Sequence, residues 1–281
     1  MIRLKTLLGA AIFSAVAFTG ANACSISAWS AVDSVGVVAA DAGEPINSPP
    51  NGFKRYSARC GLRVVGGGTA KYVQDNTPTN ATSYKARFYV FTGTTLADTT
   101  TNGFVYLARD GAGANLIRIA LTGGNLITTV TGSAGAIAPI PVVADKFYSV
   151  EIEWAQGAAS PFSIKVQGAG APTAVTQTTT TNNAAGVLKD VRLGLSAGST
   201  GTVFFDEYDS RRTTAPGRLL KCDANNDGLV AIGDRVVINN EILNLSLATG
   251  QPDANEDGIV SVADRVQVNN KILNNPASLC N

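Results

Sequence analysis

One short pattern occurs twice near the C-terminal end of the chain. Asp223 to Asn244 reads DANNDGLVAIGDRVVINNEILN and Asp253 to Asn274 reads DANEDGIVSVADRVQVNNKILN, offset by thirty residues and alike at most positions. Repetition at a fixed offset marks a duplicated structural unit whose copies cover each other's apolar surface. This duplication constrains the fold more than any other feature of the sequence.

Each copy opens with oxygen-bearing side chains at loop positions one, three and five and a glycine at six, the spacing that wraps a calcium ion. The residues are Asp223, Asn225, Asp227 and Gly228, then Asp253, Asn255, Asp257 and Gly258. The main-chain carbonyls of Leu229 and Ile259 take position seven, and Asp234 and Asp264 take position twelve. Three carboxylates and one amide per loop suit a hard divalent cation, so two calcium ions are expected. Asp at position twelve is shorter than the bidentate Glu of a standard EF-hand, so the backbone must approach the ion more closely. Pro216 and Gly217 precede the first loop, and Gly250 and Pro252 the second, which leaves no room for an entering helix. After each loop a helix is predicted. Val236, Ile238, Ile242 and Leu243 form its apolar face in the first copy, and Val266, Val268, Ile272 and Leu273 in the second.

This arrangement, from about Cys222 to Leu279, resembles the type I dockerin family, whose members carry two such calcium repeats with Asp at position twelve. The resemblance implies calcium-dependent folding and docking onto a cohesin-like partner. Cohesin-recognising members often carry Ser or Thr at positions ten and eleven. Here those positions hold Ile232 with Gly233 and Val262 with Ala263, and Asn239-Asn240 and Asn269-Asn270 stand where basic residues are usual. A calcium-stiffened module is therefore expected ahead of a known cohesin pairing.

The N-terminus reads as a secretory signal. Arg3 and Lys5 precede an apolar run from Leu7 to Phe18, and Ala21-Asn22-Ala23 forms a cleavage site, so residues 1–23 are expected to be removed. No later stretch is long and apolar enough for a membrane-spanning helix, and a secreted protein is expected. Four cysteines in an oxidising compartment allow three pairings. The local one, Cys24 with Cys60 and Cys222 with Cys280, is the sensible choice, because the second pair clasps both ends of the repeat module. The chain has no histidine, so imidazole metal sites and histidine-based triads are excluded. A net charge of +1 gives no reason to expect a nucleic-acid partner.

Residues 24–212 read as all β. Runs of alternating or β-branched residues recur between Gly-rich turns: Gly61–Val65, Lys71–Gln74, Ser83–Phe91, Phe104–Arg109, Leu116–Leu121, Leu126–Val130, Phe147–Trp154, Phe162–Val166, Val187–Leu195 and Thr202–Tyr208. About ten strands without a long helical pattern predict an antiparallel β-sandwich or jelly roll, with a closed barrel as the alternative. A short linker, 213–218, leads to the small helical module, 219–281. The segments RCGLRVV, AKYVQD, YKARFYVF, YSVEIEW and GTVFFDEYDSRR are similar to the concanavalin A-like lectin/glucanase and laminin-G-like superfamily. That similarity implies a carbohydrate-associated fold with ligands on a concave sheet or at loop tips.

Glycoside hydrolysis needs two carboxyl groups flanking the scissile bond. Glu151 and Glu153 share one strand face and are the best pair in the chain, although a solvated face paired with Lys85 and Arg87 is the plainer reading. Asp206, Glu207 and Asp209 form a second acidic group, suited to capping a turn or holding a structural cation. Tyr84, Tyr89, Tyr106 and Tyr148 are the residues available to a lyase that uses Tyr as base, and strand tyrosines more often serve packing. The expectation is a secreted calcium-binding protein whose jelly roll engages a polysaccharide or an extracellular protein. A glycoside hydrolase or polysaccharide lyase, and a structural surface or matrix protein, are the rival readings.

Overall fold

The computed structural model describes residues 29–32, 37–39, 54–58, 60–93, 96, 98–100, 103–168, 174–184 and 186–280. The strands are β1 (Ala31–Val32), β2 (Val37–Ala39), β3 (Leu62–Val65), β4 (Lys71–Asp75), β5 (Ser83–Phe91), β6 (Tyr106–Asp110) and β7 (Asn115–Thr122). They continue as β8 (Asn125–Val130), β9 (Ile140–Pro141), β10 (Phe147–Ala155), β11 (Ser160–Gly168), β12 (Val175–Thr181), β13 (Leu188–Leu195) and β14 (Thr202–Arg211). One seven-stranded sheet runs β1-β4-β13-β6-β7-β8-β9, and the other runs β12-β11-β10-β5-β14-β3-β2. With two separate sheets, the expected sandwich forms and the closed barrel does not.

Two-residue alternation builds the core. Tyr84, Ala86, Phe88 and Val90 of β5 and Tyr148, Val150, Ile152 and Trp154 of β10 point inward from the second sheet. Val73, Tyr106, Ile117, Ile119 and Leu193 meet them from the first. Phe88 stacks on Tyr106 across the gap, ring centroids 5.3 Å apart. Each large apolar side chain taken from water here contributes about 1.5–3 kcal/mol.

All ten expected strands are present, within a few residues at their ends. β12 was not anticipated. Its sequence, VTQTTTT, has no apolar alternation because it is the edge strand of the second sheet. β1, β2 and β9 are two or three residues long, too short for a periodic pattern. β14 runs further than expected because a bulge between Asp206 and Asp209, with Glu207 at φ 51°, lets it bend and continue.

The linker lies across the outer face of the second sheet. The Arg87 guanidinium donates to the Gly217 carbonyl at 2.9 Å, and the Leu219 N–H donates to the Tyr89 hydroxyl at 2.9 Å. Tyr89, Phe91, Phe147 and Phe204, on that outer face, form a second buried cluster with Tyr56 and the partly buried Leu219. Tyr56 lies flat on Tyr89, ring centroids 3.6 Å apart.

The two helices, α1 (Ile232–Ile242) and α2 (Val262–Ile272), are the only ones among the described residues. They pack over a small core of Cys222, Ala224, Ile238, Ala248, Ala254, Val260, Val268 and Cys280, with Ile242 and Ile272 against it. The apolar face is narrower than expected. Val236, Leu243, Val266 and Leu273 are exposed. At about 100° per residue, Val236 lies nearly opposite Ile238, so the two cannot share one face. The Cys222–Cys280 disulfide closes the module, with Cα atoms 5.5 Å apart and a sequence separation of 58. In the chain-entropy account such a closure contributes about 4 kcal/mol. Cys60 is also disulfide-bonded. Cys24 and residues 1–23, where a secretory signal is expected, lie outside the described residues. No described helix is long and apolar enough to cross a membrane.

Candidate metal centre

The two repeats fold into matching loops held by the same hydrogen bonds. In the first, the Asp223 carboxylate accepts from the N–H groups of Asp227 (3.1 Å) and Gly228 (2.9 Å). Asn225 Oδ1 also accepts from Asp227 N–H, and Asp227 Oδ1 accepts from Leu229 N–H at 2.9 Å. In the second, Asp253 accepts from Asp257 (3.2 Å) and Gly258 (2.6 Å), Asn255 from Asp257, and Asp257 from Ile259 (2.9 Å). Both glycines have left-handed backbones, φ 86° and 75°, which a residue with a Cβ resists. The side chains of Leu229 and Ile259 are exposed, as suits residues that would offer only their main chain.

The position-twelve aspartates sit in the first turns of the exit helices. Asp234 accepts from Ala224 N–H (2.8 Å) and reaches back to Ala231 N–H (2.7 Å). Asp264 accepts from Asn255 N–H (3.3 Å), Ser261 N–H (2.8 Å) and the Ser261 hydroxyl. Each therefore ties the start of its loop to the start of its helix. All ten sequence-predicted ligand residues lie in these two loops and helix starts.

The donor set fits calcium: carboxylate, amide and main-chain oxygens, with no soft ligand. Asp234, Asp253 and Asp264 are fully buried, a costly state for a carboxylate without a cationic partner. Burial pushes the Asp253 carboxyl well above its ordinary value of 3.8, and the nearby Asp264 and Asp257 charges push it further. Burial raises Asp264 as well, against the pull of its Ser261 and Asn255 hydrogen bonds. Among the described residues, no group of three His, Cys, Asp or Glu side chains is gathered closely enough to hold an ion by itself. N–H donors hold the carboxylates of each loop, and the amide and carbonyl oxygens would complete the set.

The raised carboxyls predict a pH dependence. The native state keeps protons that the unfolded chain releases above about 3.8, so their contribution is full at low pH and is lost as pH rises. In calcium-free buffer, the stability of wild type relative to Asp253→Asn is expected to fall as pH rises through the raised range. Saturating calcium should abolish the fall, because the ion replaces the protons. Thermal melts at stepped pH check this, and a calcium-free difference that grows with pH contradicts it.

The second loop touches groups that the sequence did not single out. Glu256, at loop position four, is buried and bonds Lys221 (3.3 Å), the Tyr56 hydroxyl (3.2 Å) and Arg218. Glu241 of α1 is buried against Arg55 at 3.0 Å. No local pattern announces these pairs. The available clue was a charge difference between the copies, Glu256 for Asn226 and Glu241 for Lys271.

The acidic pair on β10 behaves as a strand face. Glu153 faces Lys85, with Nζ and Oε2 2.6 Å apart, and Glu151 pairs with Lys165 of β11 at 3.7 Å. Glu151 stands opposite Arg87 in register, but that guanidinium turns to the carbonyls of Glu207 and Gly217 instead. Lys85→Ala is expected to cost less than about 1 kcal/mol in a denaturant melt, as exposed ion pairs do. Asp206, Glu207 and Asp209 are engaged separately. Asp206 accepts from Tyr56 and Ser57 N–H, Glu207 lies 3.5 Å from Arg87, and Asp209 pairs with Arg211. Tyr84, Tyr89, Tyr106 and Tyr148 are buried, and burial raises the pKa of each. A cleft of about 510 Å³ lies beside Glu153, lined by Lys85, Pro161, Ser163, Thr178 and Thr180.

No protein-family model matches the chain, and no curated protein is detectably similar to it. Solved structures do resemble it. An endo-β-1,4-glucuronan lyase from the fungus Trichoderma reesei is 15% identical, with 66% of this chain and 91% of that chain covered and a TM-score of 0.47. The cellulose-induced protein Cip1 is 14% identical, with 58% and 84% covered and a TM-score of 0.41. A GH131 β-glucanase catalytic domain from Podospora anserina is 11% identical, with 68% and 81% covered and a TM-score of 0.40. Likenesses this remote assign neither family nor activity.

Proposed function

We propose that this chain is a secreted calcium-binding protein of two modules. The C-terminal repeats bind two calcium ions, and the β-sandwich contacts a polysaccharide. The observation that carries the calcium reading is the duplicated loop, in which one set of hydrogen bonds arranges the same oxygens twice around buried aspartates. Asp223, Asn225, Asp227, the Leu229 carbonyl and Asp234 would hold one ion. Asp253, Asn255, Asp257, the Ile259 carbonyl and Asp264 would hold the other. Calcium would neutralise the carboxylates and tie each loop to its exit helix, so that ion binding supports folding of the module.

The cleft beside Glu153 is the proposed polysaccharide contact. There the charges and hydroxyl groups of Lys85, Glu153, Ser163, Thr178 and Thr180 stand beside a mainly apolar cleft surface that includes Ala155 and Pro161. The exposed Ile232 and Val236 of α1 with its C-cap Leu243, and Val262 and Val266 of α2 with its C-cap Leu273, are the apolar surface available to an extracellular protein partner. Native mass spectrometry tests the calcium reading. Two bound ions that EGTA removes and excess magnesium does not replace are expected, and an unchanged mass in calcium refutes it. Gel electrophoresis through a panel of soluble polysaccharides tests the sandwich. Retardation by one polymer, relieved by Glu153→Ala with Lys85→Ala, is expected, and free migration through every polymer refutes it.

A further inference from the structure

The two loops share a pattern but not an environment. The copies differ in charge at two positions only, Asn226 against Glu256 and Glu241 against Lys271. The acidic member of each pair is buried and faces the segment Lys54–Ala58, through Tyr56 in one case and Arg55 in the other. That segment is itself pinned to β14, because Asp206 accepts from the N–H groups of Tyr56 and Ser57. The main chain of the second loop is gripped as well. Phe147 N–H donates to the Glu256 carbonyl at 2.9 Å, Lys146 Nζ to the Asn255 carbonyl at 3.3 Å and Lys54 Nζ to the Gly258 carbonyl at 3.2 Å. In the first loop Asn226, Asp227, Gly228 and Leu229 are exposed, whereas Glu256 and Gly258 are buried. A Cβ built on Gly228 meets nothing within 4 Å. One built on Gly258 meets Lys54 Cδ at 2.6 Å and Phe91 Cε2 at 3.0 Å.

We infer that the two calcium sites are inequivalent, and that the second is a clamp joining the module to the sandwich. This rests on the calcium reading of both loops. Asp264 belongs to α2, while the Asn255–Gly258 stretch is held by Lys146, Phe147 of β10 and the Lys54–Ala58 segment. An ion shared between them fixes the module over the aromatic patch of Tyr89, Phe91, Phe147 and Phe204. An ion in the first loop orders the module internally and leaves the docking unchanged. By linkage, docking tightens the second site by the same factor by which its ion tightens docking.

Hydrogen exchange on the full mature chain in saturating calcium tests the inference, read at the Phe147 amide. Asp257→Ala is expected to speed its exchange by about ten-fold or more, as the docked contact opens locally. Asp227→Ala is expected to leave it within about two-fold of wild type. Gly258→Ala and Gly228→Ala repeat the comparison with every ligand in place. Both force alanine into a left-handed backbone, and only the first strikes the sandwich, so only Gly258→Ala is expected to speed exchange. Asp257→Asn and Asp227→Asn, which keep the loop hydrogen-bond acceptors and weaken the ion, decide the matter if Asp257→Ala melts the module. Equal effects of the second-loop and first-loop aspartate variants, or none, overturn the clamp. Parallel calorimetry separates the two claims. Two ions bound, one of them lost in Asp257→Ala, with unchanged Phe147 exchange, overturns the clamp alone. No calcium bound to wild type overturns the calcium reading and the clamp with it.

Discussion

Chelating calcium from the purified chain is expected to lower its melting temperature more than any single surface substitution. An ion that binds only the folded state stabilises it by about 4 kcal/mol when present at a thousand times its dissociation constant, and there are two proposed sites. Asp234, Asp253 and Asp264 are buried carboxylates, and Asp253, Asp257 and Asp264 repel one another, so removal of the ion would uncover repulsion as well as lose attraction. Scanning calorimetry in calcium and in EGTA measures the difference. Asp227→Ala and Asp257→Ala are each expected to remove part of the calcium-dependent increment, and the double variant nearly all of it. The module core is small, with one disulfide and few large apolar side chains, so little else would compensate. A melting temperature that does not change between calcium and EGTA contradicts the expectation.

Glu256→Ala is expected to destabilise the chain by about 3–5 kcal/mol, because it leaves buried cations without their partner. Glu256 is fully buried between Arg218, Lys221 and the Tyr56 hydroxyl, and the Arg218 and Lys221 side chains are themselves largely covered. Asn226→Ala is the internal control. Asn226 occupies the same loop position in the first repeat with the same left-handed backbone, φ 59° against 57°, but it is exposed. The alanine strain is common to both variants, so their difference isolates the buried ion pairs. Denaturant melts in saturating calcium read that difference, and equal losses in the two variants would show that Glu256 contributes nothing beyond its backbone.

The two repeated loops were legible in the sequence because their hydrogen-bonding chemistry is local. Six positions within twelve residues set both the ligands and the turn, and the second copy repeats them. The sandwich core was legible for a similar reason, since Tyr148, Val150, Ile152 and Trp154 alternate with polar neighbours and lie inside as alternation requires. The module docking was not legible. It joins Lys54–Ala58 and Phe147 to Glu256 across some hundred to two hundred residues, and no periodicity reports such a contact. A faint trace existed in the outward phase of the strands. Tyr89, Phe91, Phe147 and Phe204 are aromatic where a solvated face would be polar, and the structure buries all four. The helix face was misjudged because Val236 and Leu243 were grouped with Ile238 and Ile242 by hydrophobicity, without regard to their angle around the helix. The strand β12 was missed because an edge strand without buried alternate residues carries no pattern to read.

Two calcium sites, one in each repeat, are proposed for this chain. Isothermal titration of calcium into the purified chain, alongside Asp227→Ala and Asp257→Ala, tests for them. Two ions per wild-type chain and one in each variant are expected, with the residual ion differing in affinity because only the second loop is docked on the sandwich. Heats no larger than dilution in the wild type, or two ions retained in both variants, would contradict the proposal.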